Sequence, residues 1–263
     1  METICIEIKN LEVQYDTTPI ITNMNVTIPK NKITMIIGAN GCGKSTLLKT
    51  IGRILQPKTG EILLEGKDIK KQPSKILAKQ MAILPQNPTA PSGLKVRELV
   101  AYGRFPYQSP MGGLKKEDIN KINWAMEVTG IIDMADRMVE SLSGGQRQSA
   151  WIALTLAQET PILLLDEPTT YLDMSHQLEI LQLLKKLNLD SKITIIMVLH
   201  ELNNATKFSD YLIGMKDGKL VFTGPPKEVV NQRNLEVLYG IQATLQLDKT
   251  NTYPICTDFE LIK

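Results

Sequence analysis

Residues 33–37, Ile-Thr-Met-Ile-Ile, form a nearly unbroken apolar run, and a glycine-rich stretch follows at once: Gly38-Ala39-Asn40-Gly41-Cys42-Gly43-Lys44-Ser45-Thr46. An apolar run without alternation fits a strand buried on both faces, the kind found in parallel sheets covered by helices. Ser45 to Leu55 then reads as a helix. Strand, glycine loop and helix in this order are the setting a phosphate loop requires. Gly38, Gly41 and Gly43 let the backbone wrap closely around phosphates. Lys44 places a cation at the β- and γ-phosphates, and Ser45 offers a hydroxyl to Mg²⁺. A chance glycine-rich turn is the competing reading, and the buried strand in front argues against it.

The rest of the chain alternates β and α. Ile4 to Tyr15 has period two, and Met24, Val26 and Ile28 repeat it up to Pro29, predicting an antiparallel β-layer at the front. Further strands are expected at 62–64, 81–84, 162–166 and 193–199, and helices at 117–128, 144–157 and 175–187. Asp210 to Thr223 reads as a hairpin turning at Asp217-Gly218. A short helix and a second hairpin, about Lys249 to Asn251, follow Pro226. The expected fold is an α/β P-loop NTPase with a mostly parallel sheet, the N-terminal antiparallel layer and an inserted helical block. The expected division is a single nucleotide-binding domain over 1–263. Its catalytic core is 1–88 and 159–225, its helical subdomain 89–158 and its C-terminal extension 226–263.

A formal charge of +2 and an aromatic content of 5% give no argument for nucleic-acid binding. Three irregularly spaced cysteines argue against a disulfide framework and for a reducing compartment. The first nine residues lack a signal-peptide h-region, and no apolar run approaches the ~20 residues of a membrane-spanning helix.

A second anion-binding turn lies far downstream, at Leu142-Ser143-Gly144-Gly145-Gln146. Its small residues leave backbone N–H groups accessible at the start of a helix. Two phosphate-gripping elements in one chain, the second of this form, resemble the ATP-binding subunits of ABC transporters.

That resemblance implies roles for individual residues. Asp166-Glu167 closes an apolar strand: Asp166 orients Mg²⁺ through water and Glu167 is the general base. Gln86 is the Q-loop glutamine, a Mg²⁺ and water ligand, and His200 the switch histidine that contacts the γ-phosphate. The catalytic set is therefore Glu167, His200, Lys44 and Gln86, with Mg²⁺ held by Ser45, Gln86 and Asp166. ATP is bound by Tyr15, which stacks on adenine, and by Gly38, Asn40, Gly41, Cys42, Gly43, Lys44, Ser45 and Thr46. The same ATP is touched by Ser143, Gly144, Gly145, Gln146 and Asp173 of a second copy packed head to tail. Each of these has a plainer reading: a strand-end carboxylate pair can be a solvated turn, a strand-end His structural, Asp173 a helix N-cap, Tyr15 an edge aromatic. Cys42 reads first as a small residue, and second as a thiol whose pKa the helix N-terminus lowers.

The stretch Val96-Arg97-Glu98-Leu99-Val100-Ala101-Tyr102-Gly103-Arg104-Phe105-Pro106-Tyr107 is similar to the ATPases of iron-siderophore, haem and vitamin B12 importers, with the siderophore branch nearest. Thr169 to Gln177 and Tyr253-Pro254-Ile255-Cys256 point the same way. The partners this implies are membrane permease subunits docked on Gln86 to Tyr107 and, through them, an extracytoplasmic substrate-binding protein. The implied location is the cytoplasmic face of the membrane. Ser149 departs from the arginine usual in the family. The alternatives are another ABC importer, a soluble ABC ATPase without a membrane partner, and an ATP-binding module without turnover.

Overall fold

The computed structural model describes residues 3–109, 112–170 and 172–262. In chain order the elements are β1 (Ile4–Tyr15), β2 (Thr18–Pro29), β3 (Ile33–Ile37), α1 (Lys44–Ile51), β4 (Thr59–Leu64), β5 (Lys67–Asp68), α2 (Ser74–Leu77) and β6 (Met81–Leu84). Then come α3 (Val96–Ala101), α4 (Lys116–Val128), α5 (Gly144–Ala157), β7 (Ile162–Asp166), α6 (Met174–Ser191) and β8 (Thr194–Val198). The chain continues through α7 (Leu202–Phe208), β9 (Tyr211–Lys216), β10 (Lys219–Gly224), α8 (Pro226–Val229), α9 (Gln232–Tyr239), β11 (Ile241–Leu247) and β12 (Pro254–Leu261). The chain divides into two compact units, Met1–Gln72 with Thr194–Lys263, and Pro73–Ile193.

In the first unit β3 lies between β8 and β9, parallel to both, and β10 closes the edge antiparallel to β9. Every residue of β3 and β8 is buried, as two-sided burial of the continuous apolar runs requires. β1 pairs antiparallel with β2 and β4, and β5 extends the layer. Its alternating residues Ile6, Ile8, Leu11 and Val13 are buried. The hairpin turn at Asp217-Gly218 has φ of 48° and 72°, the paired positive values of a two-residue turn that matches strand twist. β11 and β12 form the expected second hairpin.

In the second unit β6 and β7 are parallel, in register from Met81 with Ile162 to Leu84 with Leu165. Helices α3, α4 and α5 pack on one another, and α5 also packs on β6. Two helices differ in length from the sequence reading. α1 ends at Ile51, because Gly52 and then Arg53, at φ 57°, turn the chain away. α6 runs on to Ser191, since Leu187 and Asn188 are still buried and Asn188 Nδ2 donates to Ile193 O at 2.7 Å. No helix among the described residues is long and apolar enough to cross a membrane.

Candidate active site

In the first unit the phosphate loop begins where β3 ends. Ile36 is in register with Val198 of β8, so the loop and His200, two residues past Val198, leave the same C-terminal edge of parallel strands. That edge is where ligands of α/β sheets sit. Gly38 has a φ of 148°, and a Cβ built there would lie 2.1 Å from Met215 O, so no other residue fits. Lys44 is buried and its Nζ donates to Gly38 O at 2.8 Å and Ala39 O at 2.9 Å, which curls the loop around its own ammonium.

The back of the loop is braced. Gly218 N–H donates to Cys42 O at 3.1 Å, and Gly218 O accepts from Thr22 N–H at 3.1 Å. Ile20 Cγ2 and O lie 3.4 Å from the position of a Gly43 Cβ, so β2 runs directly behind the loop. Tyr15, half exposed at the end of β1, pairs with Thr18 close to this segment of β2. Asn40 and Gly41 are exposed, Ser45 is half-buried and Thr46 buried. Cys42 is buried, and burial pushes its thiol up, against the lowering effect of Lys44 and the backbone amides. Of its two sequence readings, the small packed residue is the one this environment supports. Tyr239 of α9 places its hydroxyl, buried and outside hydrogen-bonding geometry, beside the Gly38 amide.

In the second unit, Gln86 and the Asp166-Glu167 pair leave the C-terminal ends of the adjacent parallel strands β6 and β7. Gln86 is half-buried, and Asp166 and Glu167 are buried. Glu167 has a φ of 52°, a left-handed backbone that a long side chain adopts at a cost of roughly 1 kcal/mol or more and that concentrates at functional positions. Thr170 Oγ1 donates to Glu167 Oε2 at 2.9 Å and fixes the carboxylate. Thr170 was present in the sequence pattern, but nothing there gave it this role.

The second anion-binding turn opens α5 as a reciprocal cap. Ser143 Oγ accepts from Gln146 N–H at 3.3 Å, and Gln146 Oε1 accepts from Ser143 N–H at 3.1 Å. Gly144 has open space where a Cβ would stand, whereas Gly145 faces the His176 ring at 3.5 Å. Gln148 Nε2 donates to Pro168 O at 2.8 Å, tying α5 to the residue after Glu167. Asp173 is the N-cap of α6, accepting from His176 N–H at 3.0 Å and Ser175 Oγ at 2.7 Å, with His176 Nδ1 at 2.8 Å. Tyr171, one residue of the pattern that suggested the family branch, lies outside the described residues. Ser149 lines a cavity of about 220 Å³ with Gly145, Ile152, His176 and Glu179, where the sequence departs from the family's arginine.

The stretch expected to be a recognition surface is divided. Arg104 is buried: its Nε donates to Asp118 Oδ1 at 2.8 Å, its Nη1 to Ala157 O at 2.8 Å, and its guanidinium carbon lies 4.0 Å from the Tyr107 ring centroid. Phe105 next to it is 70% exposed. A cavity of about 530 Å³ is lined by Ser74, Lys75, Ala78, Phe105, Pro106 and Gln108, among others.

Each unit by itself carries groups suited to nucleotide hydrolysis, the phosphate loop in the first and the strand-end carboxylates in the second. The oxygen donors Ser45, Gln86 and Asp166 are hard ligands of the type Mg²⁺ takes. The ABC transporter domain pattern matches residues 21–170. The iron(3+)-hydroxamate import ATP-binding protein FhuC of Bacillus subtilis (strain 168) is 51% identical over 97% of this chain and 95% of its own. The ferric enterobactin transport ATP-binding protein FepC of Escherichia coli (strain K12) is 44% identical over 94% and 91%. Among solved structures, an inward-facing, putative metal-chelate type ABC transporter superposes with a TM-score of 0.82 at 26% identity, over 98% of this chain and 97% of the other. A dimeric ATP-binding cassette with ADP and Pi gives 0.75 at 29%, over 84% and 98%. Both extend the P-loop α/β architecture beyond the region of the domain match. Sequence pattern, strand-end chemistry and near full-length similarity lead to one conclusion: this chain belongs to the ABC transporter family, as an ATP-binding and ATP-hydrolysing subunit.

Proposed function

We propose that this protein energises the import of an iron-siderophore complex through a membrane permease, by ATP-driven closure of a dimer of two copies. The observation that carries the cargo is similarity to hydroxamate and enterobactin import ATPases over more than nine-tenths of both chains. In this reading Lys44 and the loop from Gly38 to Thr46 hold the triphosphate, and Tyr15 stacks on the base. Ser45, Gln86 and Asp166 hold Mg²⁺, the last through water. The ion would neutralise phosphate charge, while Glu167 takes the proton of the attacking water and His200 contacts the γ-phosphate.

Ser143, Gly144, Gly145, Gln146 and Asp173 of the second copy complete each site. The capped α5 N-terminus supports this, because a helix start favours anions and open space at the Gly144 Cβ position leaves room for a phosphate. ATP then acts as a ligand of the closed state alone, and its differential affinity drives the cycle. The functional division is a catalytic core of 1–88 and 159–225, a helical subdomain of 89–158 and an extension of 226–263. In this reading the cavity beside exposed Phe105 is the surface offered to the permease, and the subunit works at the cytoplasmic face of the membrane.

The test is uptake of radiolabelled iron-siderophores by cells lacking this subunit and complemented with it. Ferric hydroxamate or catecholate uptake should return with the wild type and stay absent with Glu167→Gln. Restoration of haem or vitamin B12 uptake alone would replace the cargo and keep the ATPase reading.

A further inference from the structure

His200 sits in a short connection whose two ends are fixed differently. On its N-terminal side Leu199 N–H donates to Ile36 O at 3.4 Å, tying the chain to the strand that leads into the phosphate loop. On its C-terminal side lies α7, of only seven residues. A helix that short has little stability alone, so its position is set by whatever holds it. Ala205, Thr206 and Phe208 anchor its later residues in the core. Its first turn is held by Asn203.

Asn203 Nδ2 donates to Cys256 O at 3.0 Å, and Asn203 Oδ1 accepts from Cys256 N–H at 2.8 Å. A carboxamide presents a donor and an acceptor much as a peptide group does, so the side chain docks on β12 as a neighbouring strand would. Cys256 is in register with Leu245, beside an irregularity between Thr244 and Leu245. The β11–β12 hairpin therefore grips the turn that begins two residues after His200, from 53 positions further along the chain.

We propose that Asn203 is a positioning residue for His200, and that the C-terminal hairpin is the fixed anchor through which it acts. This rests on the reading of His200 as the γ-phosphate contact. The extension then governs the hydrolytic step and leaves ATP binding, which Lys44 and the loop supply, unchanged. A purely structural role, filling a strand edge that would otherwise be open, would cost stability and spare turnover.

The experiment breaks the clamp from both sides in the full-length protein. Asn203→Ala removes the carboxamide. Cys256→Pro removes the N–H from the strand without touching α7, at an edge position where proline is tolerated. Each variant should lower kcat by about tenfold, the scale on which small misplacements act. KM for ATP should stay within about twofold, since binding groups are untouched. The double variant should be no slower than either single one. With only two histidines in the chain, the imidazole resonances are separable, and that of His200 should shift while that of His176 stays. Wild-type kcat in Asn203→Ala, additive losses, or an unmoved His200 resonance would overturn the inference. If His200→Ala itself turned over at the wild-type rate, the reading of His200 would fall and this inference with it. An inactive His200→Ala beside a fully active Asn203→Ala would sink the inference alone.

Discussion

Arg104 and Asp118 form an ion pair at 2.8 Å with side chains 3% and 7% exposed, which anchors to α4 one end of the stretch, Gln86 to Tyr107, whose sequence reads as a docking surface. Removing one member of a buried pair leaves the other charge uncompensated. Arg104→Ala should destabilise the protein by about 3–5 kcal/mol, the range for such deletions. Burial alone would raise the Asp118 carboxyl. The Lys115 amide and the Arg104 guanidinium outweigh it and hold the group below the usual carboxylate range. Its contribution is therefore present above the unfolded value of 3.8 and fades as pH falls through the lower folded value. Urea unfolding of wild type and Arg104→Ala at neutral and acid pH measures both, and the gap should narrow on the acid side.

Glu167→Gln keeps an acceptor for Thr170 and loses the basic carboxylate. Phosphate release should drop by about 10²–10⁴-fold, the contribution of a positioned base. Equilibrium ATP binding should persist, and light scattering should find an ATP-dependent dimer that does not dissociate. Wild-type turnover in this variant would remove Glu167 from the mechanism.

His176 and Asp173 titrate as partners. The hydrogen bond its ring donates to the Asp173 carboxylate raises the His176 imidazole above 6.5, and the His176 amide, with Ser175 and the imidazole, holds Asp173 well below 3.8. A raised histidine stabilises fully below pH 6.5 and loses that contribution as pH rises through its folded value. A depressed aspartate stabilises above 3.8 and loses it on the acid side. The pair is thus strongest in mildly acidic solution. In an NMR titration, Asp173→Asn should return the His176 midpoint to about 6.5.

Burial pushes the Tyr239 phenol up to about 12 from 10. An acid with a raised folded value loses stability as pH climbs, because the unfolded chain ionises first. Between pH 10 and about 12 the wild type should weaken more steeply than Tyr239→Phe. At neutral pH the variant should be at least as stable, since the hydroxyl it loses is buried outside hydrogen-bonding geometry. Thermal melts at both pH values decide this.

Local chemistry was legible in the sequence. A buried strand followed by glycines, a strand ending in two carboxylates and a Ser-Gly-Gly turn before a helix each occupy a dozen residues or fewer, so their order along the chain is their order in space. What escaped the sequence depends on distant residues. Arg104 read as exposed because its partners, Asp118 and Ala157, lie 14 and 53 positions away. The Asn203 clamp on Cys256 joins residues equally far apart. The left-handed backbone of Glu167 is invisible for another reason, since no residue preference favours a glutamate there. At Cys42 the first sequence reading, a small packed residue, stands, because burial outweighs the lowering effect of Lys44 and the backbone amides.

Gly218 gives its N–H to Cys42 and its carbonyl to Thr22, in a space where a Cβ would fall 2.0 Å from Ile20 O. A single residue, through its two flanking peptides, thus rivets the hairpin turn, the nucleotide loop and the front layer together. Water that reaches the back of Cys42 must first part the front layer from the hairpin, so the three should open and close as one block and show a common rhythm of hydrogen exchange.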